Sequence, residues 1–242
     1  MRARTTFRMY AVVWLALLSL LTGCDDLPRD PSNSLNNALE RGTLRVGVLH
    51  SNPWAIWRED GPPGGLEGEL VSAFAAELGI SVDAVLAGEE QLFEALIEHE
   101  LDVVIGGFSL DNPWISRVGF TNPYYISRFV IGTPPDQPSV ENIDGREVTL
   151  RRHTGLASAL ERKGASVTAV DELRAANGLI LAEEWELRGL GYEPTEVELR
   201  KREHVIALPA GENALLVSLE SFLSRRSDED DLAARLREVA QP

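Results

Sequence analysis

The chain has 242 residues and a formal net charge of −15, from 23 basic and 38 acidic side chains. Such a surface repels nucleic acid and anionic lipid headgroups, which excludes both as electrostatic partners. A single cysteine excludes an intramolecular disulfide, and roughly 200 residues beyond the first stretch are enough to bury one core or two small ones. At the start, Arg2, Arg4 and Arg8 precede an apolar run from Tyr10 to Leu21, with no acid before Asp25. A basic start, a short apolar stretch and small residues before a cut site predict a secretory signal peptide over 1–23. The run is shorter than the ~20 residues of a spanning helix, and no later stretch reaches that length.

Leu21-Thr22-Gly23-Cys24 resembles a bacterial lipobox. The resemblance implies lipid attachment at Cys24, through a diacylglyceryl thioether and an acylated amine with palmitate-like chains. Each buried methylene contributes about 0.8 kcal/mol, so several chains anchor stably. The alternative is an ordinary signal peptide with an incidental cysteine. Asp25 and Asp26 resemble the signal that retains Gram-negative lipoproteins on the inner membrane. Residues 24–42 are polar and turn-prone and read as a flexible tether, reaching about 55–60 Å if fully stretched. Leu35 to Leu39 is expected to form a short helix closing onto the body.

Leu44 to Val48 alternates as a strand, and Gly61 to Gly65 is a turn. Leu66 to Leu78 carries Leu70, Val71, Phe74 and Leu78 on one helical face, with Gly79 ending it. Ile80 to Leu86 is a second strand, Gln91 to Glu98 a helix, and Leu101 to Ile105 a strand apolar enough to be buried on both faces. After the Pro134 to Pro138 loop the pattern resumes. Glu147 to Leu150 is a strand, Gly155 to Arg162 a helix and Ala165 to Val170 a strand. Gly178 to Leu181 is a strand, Glu184 to Leu190 a helix, and Val197 to Arg200 and Val205 to Leu208 are strands. Glu212 to Arg225 and Glu229 to Val239 are closing helices. Strands and helices in alternation predict an α/β fold, and two such units predict two lobes with a cleft.

Five segments, in order, resemble the bacterial extracellular solute-binding proteins of family 3, the polar amino acid receptors of ABC importers. They are Gly42 to Val48 with Asn52-Pro53-Trp54; Asp60-Gly61 with Gly65 to Leu70; Leu101 to Ser109; Phe120 to Tyr125; and Asp144 to Val148. The match is poor from Thr149 to Glu203. The resemblance implies a two-lobe periplasmic binding protein-like (type II) fold, closing on a small polar solute and serving an inner-membrane ABC permease, as a monomer. It implies crossings near Ser127 to Gly132 and Ile206 to Ala210. Lobe 1 is then 43–128 plus 206–242 and lobe 2 is 129–205, the latter trimmed around Asp171 to Asn177.

The same resemblance locates candidate ligand residues. Trp54 falls where the family sets an aromatic against the ligand; a packed core indole is the alternative. Trp57 divides evenly between rim and core. Gly107, Phe108 and Ser109 follow a buried strand, at the sheet edge where α/β ligand sites form. Ser109 either bonds the ligand or caps a turn. The family's carboxylate-binding arginine falls on Trp114, which cannot make a bidentate charged bond. Arg117, one helical turn on, either substitutes or is a surface residue. Arg151, Arg152, His153 and Thr154 stand where a second-lobe loop holds the carboxylate, with Thr154 the best match, and Glu183 is the only acid for a ligand amine. An ordinary amino acid is therefore doubtful, and Trp54, Trp57 and Trp114 offer a cage for an organic cation.

Enzyme readings are weak. The four histidines are scattered, without metal-ligand spacing, and neither a nucleophile elbow nor a phosphate-binding glycine loop occurs. No metal, cofactor or catalytic residue is expected. Murein-cleaving relatives of the fold carry a further catalytic domain, and none is expected in this sequence. An acid–base lyase using His153 and Glu183 is the remote alternative, and a non-transport sensor or partner-binding module on the same scaffold is the nearer one.

Overall fold

The structure, a computed structural model, describes residues 30–240 apart from 176. The predicted signal peptide and Cys24 lie outside the described residues. No described helix is long and apolar enough to cross a membrane.

The chain forms two mixed five-stranded sheets, each covered by helices. The first lobe opens with α1 (Ser34–Arg41), β1 (Thr43–Val48), α2 (Gly65–Glu77), β2 (Ser81–Leu86), α3 (Glu89–Ile97) and β3 (Val103–Ile105). A 3-10 turn (Pro113–Ser116) and β4 (Gly119–Phe120) follow. The second lobe holds β5 (Tyr125–Thr133), β6 (Glu147–Arg151), α4 (Ala157–Arg162), β7 (Ser166–Val170), β8 (Leu179–Glu183), α5 (Glu184–Gly189) and β9 (Glu193–His204). The chain then returns through β10 (Ala207–Leu208), α6 (Asn213–Ser224) and α7 (Glu229–Val239). The first sheet runs β2-β1-β3-β10-β4 and the second β7-β6-β8-β5-β9. In each, β1/β2/β3 and β6/β7/β8 are parallel, as strand–helix–strand units require, and the returning strands are antiparallel.

The alternating-pattern reading gives most of these elements within a few residues. Two readings are corrected. The second crossing was expected at Ile206 to Ala210, but Ala207 and Leu208 pair inside the first sheet with Phe120 and Gly119. The return is made by β9, paired antiparallel with β5 from Tyr125↔His204 to Thr133↔Glu193. The tether is also shorter than 24–42. Ser32 and Ser34 donate their backbone N–H groups to the buried Glu212 carboxylate, each at 2.8 Å, and Asp30 Oδ1 accepts from Ala214 N at 2.7 Å. Helix α1, with Ala38 buried, then packs on α6 and β1, as the Leu35 to Leu39 reading anticipated in kind. Acidic groups at the start of a helix satisfy its free N–H groups, so the segment is docked rather than loose.

The cores follow the sheets. One face of the first sheet buries Leu44, Val46, Val48, Phe74, Leu219 and Phe222; the other buries Leu92, Phe93, Leu96 and Val104. In the second sheet, Leu179 and Leu181 face Val148, Leu150 and Leu160, while Ile180 and Ala182 face Leu173 and Leu187. Asp102, fully buried, joins α1 to β1 by accepting from Arg41 at 2.6 Å, from Arg45 Nη2 at 2.8 Å and from Arg45 N at 2.8 Å.

Candidate functional site

In both sheets the carboxyl ends of the parallel strands carry the candidate site. After β1 the chain turns through Asn52-Pro53, and α2 begins on that turn. Leu66 N donates to Pro53 O at 3.0 Å and Glu67 N to Trp54 O at 2.8 Å. Gly65 is required here: φ is +80°, and a Cβ would lie 2.6 Å from the Trp54 carbonyl oxygen. Glu67, fully buried, accepts from Gly106 N at 2.7 Å, Gly107 N at 2.9 Å and the Tyr124 hydroxyl at 2.7 Å. Burial raises its pKa against the lowering effect of those bonds. Its carboxyl thereby ties the turn after β3 to the start of α2.

Trp54 is buried inside this frame. Gly107, at φ +72°, lies against the indole so closely that a Cβ would sit 2.8 Å from the ring. The indole stacks on His204, with centroids 3.7 Å apart and planes 17° apart, and the Tyr125 ring centroid lies 5.9 Å away. His204 is held by Ser127 Oγ, 2.9 Å from its Nε2, while its buried Nδ1 has no partner among the described residues. Desolvation pushes its pKa down to about 3, helped by Arg202, so the ring stays neutral. The end of β9 joins the turn beyond Gly107: Val205 N donates to Phe108 O at 3.1 Å and Leu110 N to Glu203 O at 3.2 Å.

The second lobe adds Glu183 and Trp185. Glu183 is buried at the end of β8; burial raises its pKa, opposed by the Trp185 indole N–H that donates to it and by Arg202 at 4.0 Å. Trp185, on α5, packs into the core cluster of the first lobe with Trp54, Tyr124 and Tyr125. An indole from one lobe thus plugs the strand-end region of the other.

Other predicted residues lie elsewhere. Trp57 packs at the edge of the first-lobe core and donates its backbone N–H to His50 Nδ1 at 3.1 Å. Phe108 packs edge-on to Phe93 in the opposite core cluster. Ser109 donates its hydroxyl to Asp111. Trp114 stacks on Phe93, with centroids 5.2 Å apart, and the Arg117 guanidinium lies 4.8 Å from its centroid. Thr154 sits in the turn after β6 and accepts from Leu156 N at 3.4 Å. The tryptophans do not gather as one cage: Trp54 lies against Gly107 and stacks on His204 in one core cluster, while Trp114 packs on Phe93 in another, with the Arg117 guanidinium over its ring. His153 is exposed in the turn after β6, whereas Glu183 is buried at the end of β8.

Beside this filled region lies an open cavity of about 870 Å³, lined from both lobes. Asn52, Pro53, Arg237 and Ala240 come from the first; Arg151, Glu172, Arg174, Trp185, Glu186 and Tyr192 are among those from the second. It is bordered by α7, which packs on α5. Sequence reasoning had Arg151 in its second-lobe loop and the neighbours of Asn52-Pro53, but missed Trp185, His204, Arg174 and Arg237. The one local signal was Trp185, a tryptophan two residues beyond the expected acid Glu183. Among the described residues no cluster of ligating side chains suits a metal ion.

Two α/β lobes, their strand ends meeting at a shared cavity, define a type II binding-protein fold. Residues 44–239 match the model of the bacterial extracellular solute-binding proteins, family 3, and the chain belongs to that family. Among solved structures it resembles an ancestral cationic amino acid solute binding protein, with TM-score 0.65, 19% identity and coverage of 85% of this chain and 98% of that one. It also resembles the L-cystine solute receptor of Neisseria gonorrhoeae in its unliganded open conformation, with TM-score 0.64, 17% identity and coverage of 79% and 90%. At such identities the likeness concerns the fold alone. Among curated proteins it is 37% identical over 123 residues to the membrane-bound lytic murein transglycosylase F of Vibrio cholerae serotype O1, covering 49% of this chain and 23% of that protein. The namesake of Maricaulis maris is 38% identical over 114 residues, covering 46% and 25%. The chain thus spans about a quarter of the length of these relatives.

Proposed function

We propose that this is an exported, lipid-anchored solute-binding protein. It is held at the periplasmic face of the inner membrane through Cys24 and passes a small polar solute to an ABC permease. It performs no chemistry on that solute. The observation that carries the reading is the cavity of about 870 Å³ with walls from both lobes. A solute touching both walls does so fully only when the lobes are together, and so favours the closed arrangement. Native mass spectrometry of the protein from its own cells tests it: a retained small molecule is expected, and small-angle scattering should report compaction on adding it back. A chain that retains nothing and keeps one radius of gyration with every solute tried would falsify the reading. Mass spectrometry of the mature amino terminus tests the anchor, with acylated Cys24 expected.

A second reading has its own observation. The matched curated relatives are murein transglycosylases in which the corresponding segment is about a quarter of the protein. On that precedent the same lobes serve as a sensor or partner-binding module. Crosslinking in intact membranes separates the two: a permease partner supports import, and a wall-associated protein supports the module.

A further inference from the structure

We infer that the solute is a small oxyanion held between Arg174 of the second lobe and Arg237 of the first. The inference rests on the solute-binding reading and narrows it to a chemical class.

Three arginines and two glutamates line the cavity, in a chain whose overall charge is −15. They are not equivalent. Arg151 is answered by Glu186, which it grips with both terminal guanidinium nitrogens. Arg174 and Arg237 line the same space without an ion pair to any described residue. They come from different lobes, Arg174 from the 3-10 turn after β7 and Arg237 from the last turn of α7. Arg237 reaches over the second lobe: a Cβ on Gly189 would meet its Cγ at 3.7 Å.

Two like charges facing one hollow oppose closure, the more so as water leaves. An oxyanion between them reverses the sign of that term, and guanidinium forks match carboxylate and phosphate oxygens. Because each arginine belongs to one lobe, the anion rewards the closed arrangement specifically. Glu172, on the same wall, remains to accept from a hydroxyl or amine of the solute, while Leu173, Leu190 and Trp185 supply an apolar surface. A cationic solute would instead meet the guanidiniums head-on.

The test is titration calorimetry of the full chain in mild detergent. The probes are dicarboxylic acids, acidic dipeptides, phosphate monoesters, inorganic phosphate alone, neutral amino acids, arginine and a quaternary amine. Binding is expected within the carboxylates or the phosphate esters, and the arm that binds identifies the source of the oxyanion. Arg174→Ala and Arg237→Ala should each weaken it at least about tenfold, Arg237→Lys less, and Arg162→Ala, outside the cavity, not at all. Melting midpoints without solute should stay within a few degrees for all four variants. Binding of the quaternary amine in place of anions overturns the inference and leaves the solute-binding reading standing. So does binding of any probe, inorganic phosphate and the amino acids included, that is indifferent to both alanine variants. Failure of every probe, together with no retained molecule in native mass spectrometry, overturns both.

Discussion

Two neighbouring regions where the lobes meet are built in opposite ways. At the strand ends, Trp54, His204, Tyr125 and Trp185 fill the space, with one acid beneath each wall, Glu67 and Glu183. A few residues away, Asn52-Pro53 on one side and Arg174 on the other border a hollow. The filled region is largely apolar, with its two acids held by hydrogen bonds; the hollow one is rich in charge and only partly paired. The difference separates two tasks. The first region fixes how the lobes meet, and the second leaves room for something else to meet them.

The sharpest way to break this contrast is Trp54→Ala. If the filled region is structural, losing the indole should cost about 3–5 kcal/mol of unfolding free energy in chemical denaturation. Solute affinity should change far less. A loss of affinity with unchanged stability would make Trp54 a ligand residue after all.

His204 comes next. Its pKa is lowered from 6.5 to about 3, so the unfolded chain takes up a proton before the folded one does. Stability from this group is present above pH 6.5 and lost as pH falls toward 3, by a few kcal/mol. Glu67 and Glu183 act oppositely: their raised values give stability below 4.5 that is lost as pH rises through their folded values. The difference between the parent and His204→Phe isolates the histidine. Denaturation at several pH values should show the variant losing less stability between 6.5 and 4; equal losses would mean water reaches the ring.

Gly107→Ala should cost about 1–3 kcal/mol, from a positive φ and from crowding of the indole, measured as a lowered denaturation midpoint. The smallest effect belongs to the hollow. Arg151→Gln removes a half-exposed ion pair with Glu186 and should change stability by less than about 1 kcal/mol. A larger loss would show that the cavity wall, too, is structural.

The contrast also explains what could be read in advance. Buried strands such as Val103–Ile105, and helices such as Gly65–Glu77, announce themselves because their neighbours in sequence share one environment. Strand β9 did so only over Val197 to Arg200, since Lys201, Arg202 and Glu203 put charge on a strand that is only partly covered. The Trp54–His204 stack joins residues 150 positions apart, and no local spacing encodes it. The cavity gathers the turn after β1, the end of β6, the turn after β7, α5 with the residues that follow it, and α7, segments far apart in the chain. Resemblance set Trp54 at a strand end as an aromatic facing a ligand, and gave no sign that His204, Tyr125 and Trp185 would gather around it.

The docking of Asp30, Ser32 and Ser34 onto the start of α6 bears on life beside a bilayer. With acylation at Cys24, as proposed above, only six residue steps would separate the lipid from the folded body, a span of about 20 Å at most. On so short a mooring the receptor would pivot in place instead of roaming the periplasm. Delivery to a permease would then depend on lateral drift within the membrane plane.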